Sequence, residues 1–132
     1  MLRLLRKRDG FTLIELMIVI AIIAILALIL IVQWQGARQA AFNAEALTTA
    51  RNVSLAAQIY YSQEGLSYTG MTLQDLFDIE STLSDFEGTW DEDPTDVIGD
   101  ANDSQAFSVT LTARGAGDAK SYTIDQDGVH EN

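Results

Sequence analysis

An uninterrupted run of 17 apolar residues, Leu16–Val32, constrains the fold of this chain more than any other feature. Counted from Phe11, with Thr12 and Glu15 included, the apolar segment has 22 positions, and roughly 20 suffice to span a bilayer as a helix. The hundred residues that follow are too few to surround a helix that is apolar on every side, which argues against a buried core helix. The segment is predicted to lie in a membrane or in a bundle of like helices.

A basic cluster before Gly10 predicts the orientation of this segment. It contains four cations and one acidic residue: Arg3, Arg6, Lys7, Arg8 and Asp9. By the positive-inside rule the N-terminus stays in the cytoplasm and the chain after Val32 is exported. A secretory signal peptide has a similar layout, but its apolar region usually has only about 7 to 15 residues. Ala37–Ala40 is a weak cleavage site, so ordinary signal-peptide removal is the less favoured alternative.

The charge of the chain is unevenly distributed and excludes several classes of function. The formal net charge is −11, and removal of residues 1–10, which carry a net +3, leaves −14. A chain with this net negative charge repels the phosphate backbones of nucleic acids, so direct nucleic-acid binding is not expected. The chain has no cysteine, which excludes disulfides and any cysteine-based metal or nucleophile site.

The residues after the apolar run are predicted to continue the same helix, which would extend from Phe11 to Gln63 with an amphipathic half over 35–64. This part has no proline and much alanine, and Gly65 stands where a helix C-cap is expected. One apolar stripe recurs at steps of three and four: Phe42, Ala46, Ala50, Val53, Ala57 and Tyr60. The stripe predicts a face that packs against the rest of the chain.

Residues 65–132 are predicted to form a globular head with a short helix, an acidic loop and a β-sheet. Thr72 and Asp75 resemble a capping box at the start of the short helix. Strands are expected over Phe86–Trp90, over the alternating residues around Val109, and on both sides of an Asp127–Gly128 turn. The predicted fold class is α+β, with a long N-terminal helix packed on a small C-terminal antiparallel sheet.

Glu15 is the most informative single residue. A carboxylate beside an unbroken apolar run is costly in a bilayer, so it needs a proton or a counter-charge. The N-terminal cations lie at least seven positions away. A cut between Gly10 and Phe11 would create an α-amine four residues before Glu15, at the same membrane depth. The sequence therefore suggests that cleavage supplies the missing positive charge.

The segment from Gly10 to Leu16, Gly-Phe-Thr-Leu-Ile-Glu-Leu, follows a short basic leader and precedes Met17–Ile23. It resembles the class III signal of type IV prepilins and of the pseudopilins of type II secretion. The resemblance covers about the first 40 residues. It implies a type IV pilin-like fold, with residues 1–10 as the leader peptide and 11–34 as the transmembrane and polymerisation half of the helix.

The resemblance also implies roles for three residues. Gly10 would be the last leader residue seen by a prepilin peptidase, and Phe11 would become the N-methylated mature N-terminus. Glu15 would pair with the Phe11 amine of a neighbouring subunit and so set the axial register, although a pair within one chain remains open. The implied partners are further copies of the chain, the peptidase, the assembly machinery with its cytoplasmic ATPase, and membrane lipid before assembly.

Two departures from the family pattern bear on the helix. Relatives commonly carry a helix-breaking glycine and proline in the regions of Ala24 and Val32, and neither is present here. We therefore expect a helix that stays unmelted in the filament, with Gly36 as the nearest weak point.

The acidic segment 91–105 raises the question of a metal site. Asp91, Asp93 and Asp96 are hard oxygen ligands of the kind that calcium takes, and the major pseudopilins that the N-terminus resembles use calcium near their C-terminal loop. No EF-hand pattern is present. The favoured interpretation is a solvated loop without a cofactor, and calcium is the weaker alternative.

We expect a structural subunit of a type IV pilus filament, not an enzyme, because the sequence contains no nucleophile elbow, phosphate-binding glycine loop or His/Cys/carboxylate cluster. A pseudopilin of type II secretion or of a competence pseudopilus is the main alternative. A signal-anchored exported binding domain with an uncut N-terminus is less favoured. The expected location is a single pass in the cytoplasmic membrane before assembly, then an extracellular or periplasmic filament. Aromatic residues at helical spacing, such as Tyr61, are interpreted as packing residues.

Overall fold

The computed structural model describes residues 10–115 and 117–132, which fall into two compact units that divide after Gly36. The first unit holds the apolar part of one long helix. The second holds the rest of that helix, a short helix and a four-stranded sheet. The fold class is α+β, as predicted. Apart from Gly10, the predicted leader lies outside the described residues.

Helix α1 runs from Leu13 to Gln63 without interruption. It contains no proline, so no backbone donor is missing from its hydrogen-bond ladder. Ala24, Val32 and Gly36 are all helical. The helix begins two residues later than the sequence predicted, because Thr12 caps it and does not belong to its first turn.

The end of α1 is closed by the predicted glycine. Gly65 has a φ of 72°, in the left-handed region that glycine adopts without steric cost. The Leu66 N–H then donates to the Tyr61 carbonyl oxygen at 2.8 Å. This six-to-one bond is the Schellman motif, and it turns the chain away from the helix axis.

In the second unit, one face of α1 is made of small side chains that are buried in the core: Ala46, Ala50, Val53, Ala56 and Ala57. Four of them belong to the predicted stripe, whose terminal members, Phe42 and Tyr60, are only half-buried. Small side chains allow a helix to lie close to the layer that covers it. That layer contributes Val109, Leu111, Tyr122 and Ile124 to the same core.

The sheet is an antiparallel meander of four strands in sequence order. Its strands are β1 Thr89–Trp90, β2 Ser108–Thr112, β3 Ser121–Asp125 and β4 Gly128–Glu131. In β2 and β3 the buried positions alternate with half-exposed or exposed ones, as the sequence pattern predicted. The last hairpin differs by one residue from the prediction: Asp125 pairs with Gly128, so the loop is Gln126–Asp127 and Gly128 opens β4.

Helix α2, Leu73–Ile79, starts at the predicted capping box. The Asp75 N–H donates to the Thr72 hydroxyl at 3.2 Å, and the Thr72 N–H donates to the Asp75 carboxylate at 2.8 Å. A 3₁₀ turn, Ser81–Asp85, follows. Tyr61 packs on Tyr68 with a ring-centroid separation of 4.7 Å, in agreement with its interpretation as a packing residue.

The acidic segment 91–105 is less solvated than the sequence suggested. Ile98 is buried, and its N–H donates to the Met71 carbonyl oxygen at 2.8 Å. Gly99 forms an isolated bridge with Phe107. The segment is therefore held against the head at its middle, while Asp93 and Asp96 remain exposed.

Candidate assembly site

The apolar half of α1 presents its side chains to the surroundings on every face. Every residue from Gly10 to Arg38 is exposed in the single chain, and none of the most apolar window of α1 is buried. Burying one large aliphatic side chain is worth about 1.5–3 kcal/mol. A segment of this length and composition can span a membrane, and it is stable only where lipid or other helices cover it.

The predicted cleavage position is accessible. Gly10 and Phe11 are both exposed, and Phe11 retains 90% of its accessible surface. A Cβ placed on Gly10 would meet no atom within 4 Å. Among the residues that the structure describes, nothing requires glycine at this position on steric grounds.

Glu15 and Thr12 form a reciprocal capping box at the start of α1. The Glu15 N–H donates to the Thr12 hydroxyl oxygen at 3.2 Å. The Glu15 carboxylate accepts from the Thr12 N–H at 2.9 Å and from the Thr12 hydroxyl at 3.0 Å. These bonds satisfy backbone donors that have no partner within the first helical turn.

This box corrects the view of Glu15 as a carboxylate without partners. The capping box at Thr72 was predicted from the sequence, whereas the Thr-x-x-Glu spacing that forms the corresponding box at Thr12 was missed. Within residues 10–115 and 117–132, no cation pairs with that charge. Hydrogen bonding is thus provided locally, and the counter-charge is not. Cleavage after Gly10 would leave the Thr12 N–H, and hence the box, in place.

The three weak metal candidates are not brought together as a ligand set. In the part of the chain that the structure describes, no group of three or more His, Cys, Asp or Glu side chains is placed to hold a metal ion. The Asp93 carboxylate accepts from the Thr95 N–H at 2.9 Å and from its hydroxyl at 2.7 Å. These bonds lower the pKa of Asp93 below its ordinary value.

Two further acidic groups have partners that the sequence did not indicate. The Asp125 carboxylate lies 3.2 Å from the His130 ring. Glu92 is half-buried and accepts from the Thr110 N–H at 3.1 Å. Burial raises the pKa of Glu92, an effect that the Thr110 hydrogen bond opposes and the nearby Asp91 charge reinforces.

Comparison with known proteins finds similarity in the N-terminal half of the chain. A family model for the prokaryotic N-terminal methylation motif matches residues 5–31. Over 65 residues the chain is 48% identical to the type IV wide pilus major component PilA4 of Thermus thermophilus, and this region makes up 49% of each chain. The N-terminal part of the chain is therefore similar to type IV pilins. The chain spans about half the length of this curated relative, and no solved structure gives a significant match.

These similarities agree at a coarse level with the resemblance that the sequence motif showed. The matched motif includes Gly10, Phe11 and Glu15, and it ends inside the apolar half of α1. The apolar helix and the motif fit a pilin that is anchored in the membrane before assembly. The matched motif and the similar pilus component both indicate a structural role and not an enzyme.

Proposed function

We propose that this chain is a structural subunit of a type IV pilus filament, assembled by packing of its α1 helices after the leader has been removed at Gly10. The observation that carries the proposal is the exposed apolar half of α1 together with the methylation motif over residues 5–31. Similarity to a pilus major component supports it.

Before assembly, the apolar half of α1 would lie in the cytoplasmic membrane, with the acidic head outside. During assembly its lipid contacts would be replaced by contacts with the helices of other subunits. Lipid tails and helix side chains are similarly apolar, so this exchange gains little from the hydrophobic effect alone. The energy for extraction therefore has to come from the assembly machinery, and the filament would be extracellular or periplasmic.

Leader removal would give Glu15 its counter-charge. The Phe11 amine that cleavage creates would be N-methylated and would keep its positive charge. Because the capping box already supplies the Glu15 carboxylate with hydrogen bonds, what a neighbouring amine adds is charge compensation in an apolar filament core. A subunit at the wrong axial position would leave that carboxylate uncompensated, and this would define the register.

The test is intact-mass spectrometry of the protein recovered from its native envelope. We expect the loss of residues 1–10 and the addition of one methyl group at Phe11. A functional protein that retains residues 1–10 would refute the proposal in favour of a signal-anchored domain. Electron microscopy of the same cells separates the two filament types, since long surface fibres indicate a pilus and their absence, with loss of secretion on deletion, indicates a pseudopilus.

A further inference from the structure

The outer face of α1 in the head carries an apolar ridge that the head itself leaves uncovered. Arg51, Leu55 and Ile59 follow one another at steps of four, which places them one above the other on the helix. We call these three residues the outer ridge. Leu55 is 58% exposed and Ile59 is 46% exposed. A groove runs beside them, lined by Leu55, Gln58, Ile59, Ser62 and Gln63.

The ridge has a single charge, and that charge has no partner in the described structure. Across residues 10–115 and 117–132, no carboxylate lies within ion-pair distance of Arg51. The rest of the ridge and its groove are uncharged. From residue 52 to residue 113 the chain contains twelve Asp and Glu residues and no Lys, Arg or His. The partner that fits is an apolar side chain with a carboxylate next to it.

The head of this same chain offers such a group at a second place. Val97 is 60% exposed, although it lies beside the buried Ile98, and the exposed Asp96 precedes it. We call Asp96 and Val97 the acidic knob. The knob is held in place because the Ile98 N–H donates to the Met71 carbonyl oxygen and Val97 itself forms a bridge with Thr72. The described head has only a few large apolar side chains that are this exposed: Leu55, Ile59, Leu66 and Val97.

We propose that the outer ridge of one subunit receives the acidic knob of a neighbouring copy in the filament. Val97 of that copy packs into the groove beside Leu55 and Ile59, and its Asp96 pairs with Arg51. The inference rests on the proposed function, and it names the contact that joins one head to the next.

Symmetry and charge both favour a second copy as the occupant. Two different patches that fit each other on one chain produce a head-to-tail contact, which repeats as an open helical array when the rotation between subunits does not close a ring. Without residues 1–10 each subunit carries a net charge of −14, so acidic surfaces of neighbouring heads repel each other. A contact that sets one of the few cations against a carboxylate reduces that repulsion where the heads meet.

Cysteine cross-linking tests the contact directly, because the chain has no cysteine of its own. Filaments of the Leu55→Cys, Val97→Cys double variant are oxidised and run on a non-reducing gel. We expect a ladder of dimers, trimers and higher species from this variant, and monomers from each single variant. A second pair, Ile59→Cys with Val97→Cys, probes the other side of the groove. The control pair, Leu55→Cys with Thr82→Cys, uses an exposed position on the 3₁₀ turn and should give no ladder.

Charge reversal provides an independent measurement on the same filaments. Arg51→Glu and Asp96→Arg should each lower the yield of sedimented filaments several-fold, and the double variant should restore it. Filaments of normal yield that give no ladder from either cysteine pair would overturn the contact while leaving the pilus subunit role intact. A ladder of equal strength from the control pair would also overturn it. Failure of the unmodified chain to lose its leader and form filaments would instead refute the proposed function.

Discussion

The Thr12 hydroxyl accepts a hydrogen bond from the Glu15 N–H at 3.2 Å, while the Glu15 carboxylate accepts one from the Thr12 N–H at 2.9 Å. One acidic side chain therefore has two separable properties. Its oxygens cap the helix, and its charge has no cationic partner among residues 10–115 and 117–132. The first two predictions below separate capping from charge.

Removal of the Glu15 charge should block assembly and leave membrane insertion intact. In Glu15→Leu the carboxylate is lost, so no register-setting pair with a Phe11 amine can form, whereas the apolar segment becomes longer. Glu15→Gln is the matched variant, because its amide oxygen can still accept the capping bonds. We expect both variants in the membrane fraction and few filaments from either. Normal fibres from the glutamine variant would show that charge at this position is dispensable.

Loss of the cap alone should have a smaller effect. Thr12→Val keeps the backbone N–H that donates to Glu15 but removes the hydroxyl, and the loss of an N-cap side chain costs about 1 kcal/mol of helix stability. We expect filament yield to stay close to that of the parent, with leader removal verified by mass spectrometry. A defect as severe as that of Glu15→Leu would assign the role of Glu15 to helix capping.

Replacement of glycine by alanine should have opposite effects on stability at Gly99 and at Gly36. At Gly99 a new Cβ would collide with the backbone carbonyl group of Tyr68, so Gly99→Ala should lower the thermal unfolding midpoint of the head markedly. At Gly36, inside α1, a Cβ would meet nothing within 4 Å, and alanine favours the helix by about 0.8–1 kcal/mol. Circular dichroism melting of the full chain in detergent measures both. An unchanged midpoint for Gly99→Ala would contradict the close backbone approach.

The half-buried Glu92 predicts a pH dependence of stability. Its pKa is raised in the folded head, mainly by burial, so the folded state binds a proton more tightly than the unfolded state. Between the ordinary glutamate pKa of 4.5 and the raised folded value, stability should therefore fall as pH rises. Glu92→Gln should remove the destabilising effect of the buried charge. At neutral pH this variant should therefore be more stable than the parent.

A control for Glu92 lies one residue further along the chain. The pKa of Asp93 is lowered by its bonds from Thr95, so its contribution has the opposite sign. The stabilisation by Asp93 is present at pH values above the unfolded-state pKa of 3.8, and it is lost as the pH falls through the lower pKa of the folded state. Asp93→Asn should thus lose stability at neutral pH. Equal pH profiles for the two variants would contradict these assignments.

Most of the fold could be predicted because its patterns are local and repetitive. The α1 stripe and the alternation in β2 and β3 follow from helical and strand periodicity. Ala56 also fits the helical steps, three residues after Val53, but the predicted stripe followed a single line of residues that passes through Ala57. The burial of Ile98 was missed because it depends on a backbone bond to Met71, a contact between residues 27 positions apart. Such contacts leave no local pattern.

The assembly site could be predicted in part for a different reason. The motif from Gly10 to Glu15 is one contiguous run of residues inside the matched methylation motif, so it can be recognised without knowledge of the fold. The outer ridge gives no such signal, because Arg51, Leu55 and Ile59 become recognisable as a surface only when the opposite face of α1 is known to be buried. The partner of Arg51 lies on another chain in our proposal, and no pattern within one sequence identifies it.

The continuity of α1 through Ala24 and Val32 leads to a final prediction. We expect density for a regular helix at these residues in a filament map, and extended backbone between positions 24 and 32 would contradict it. The mechanical consequence is that no part of the helix is already extended before force is applied. Helical backbone rises about 1.5 Å per residue and extended backbone about 3.3 Å. Each residue that is already extended therefore makes the filament longer at rest and easier to stretch. A filament in which α1 is helical along its whole length should be stiff under tension. It should lengthen only when force breaks the hydrogen bonds of the helix.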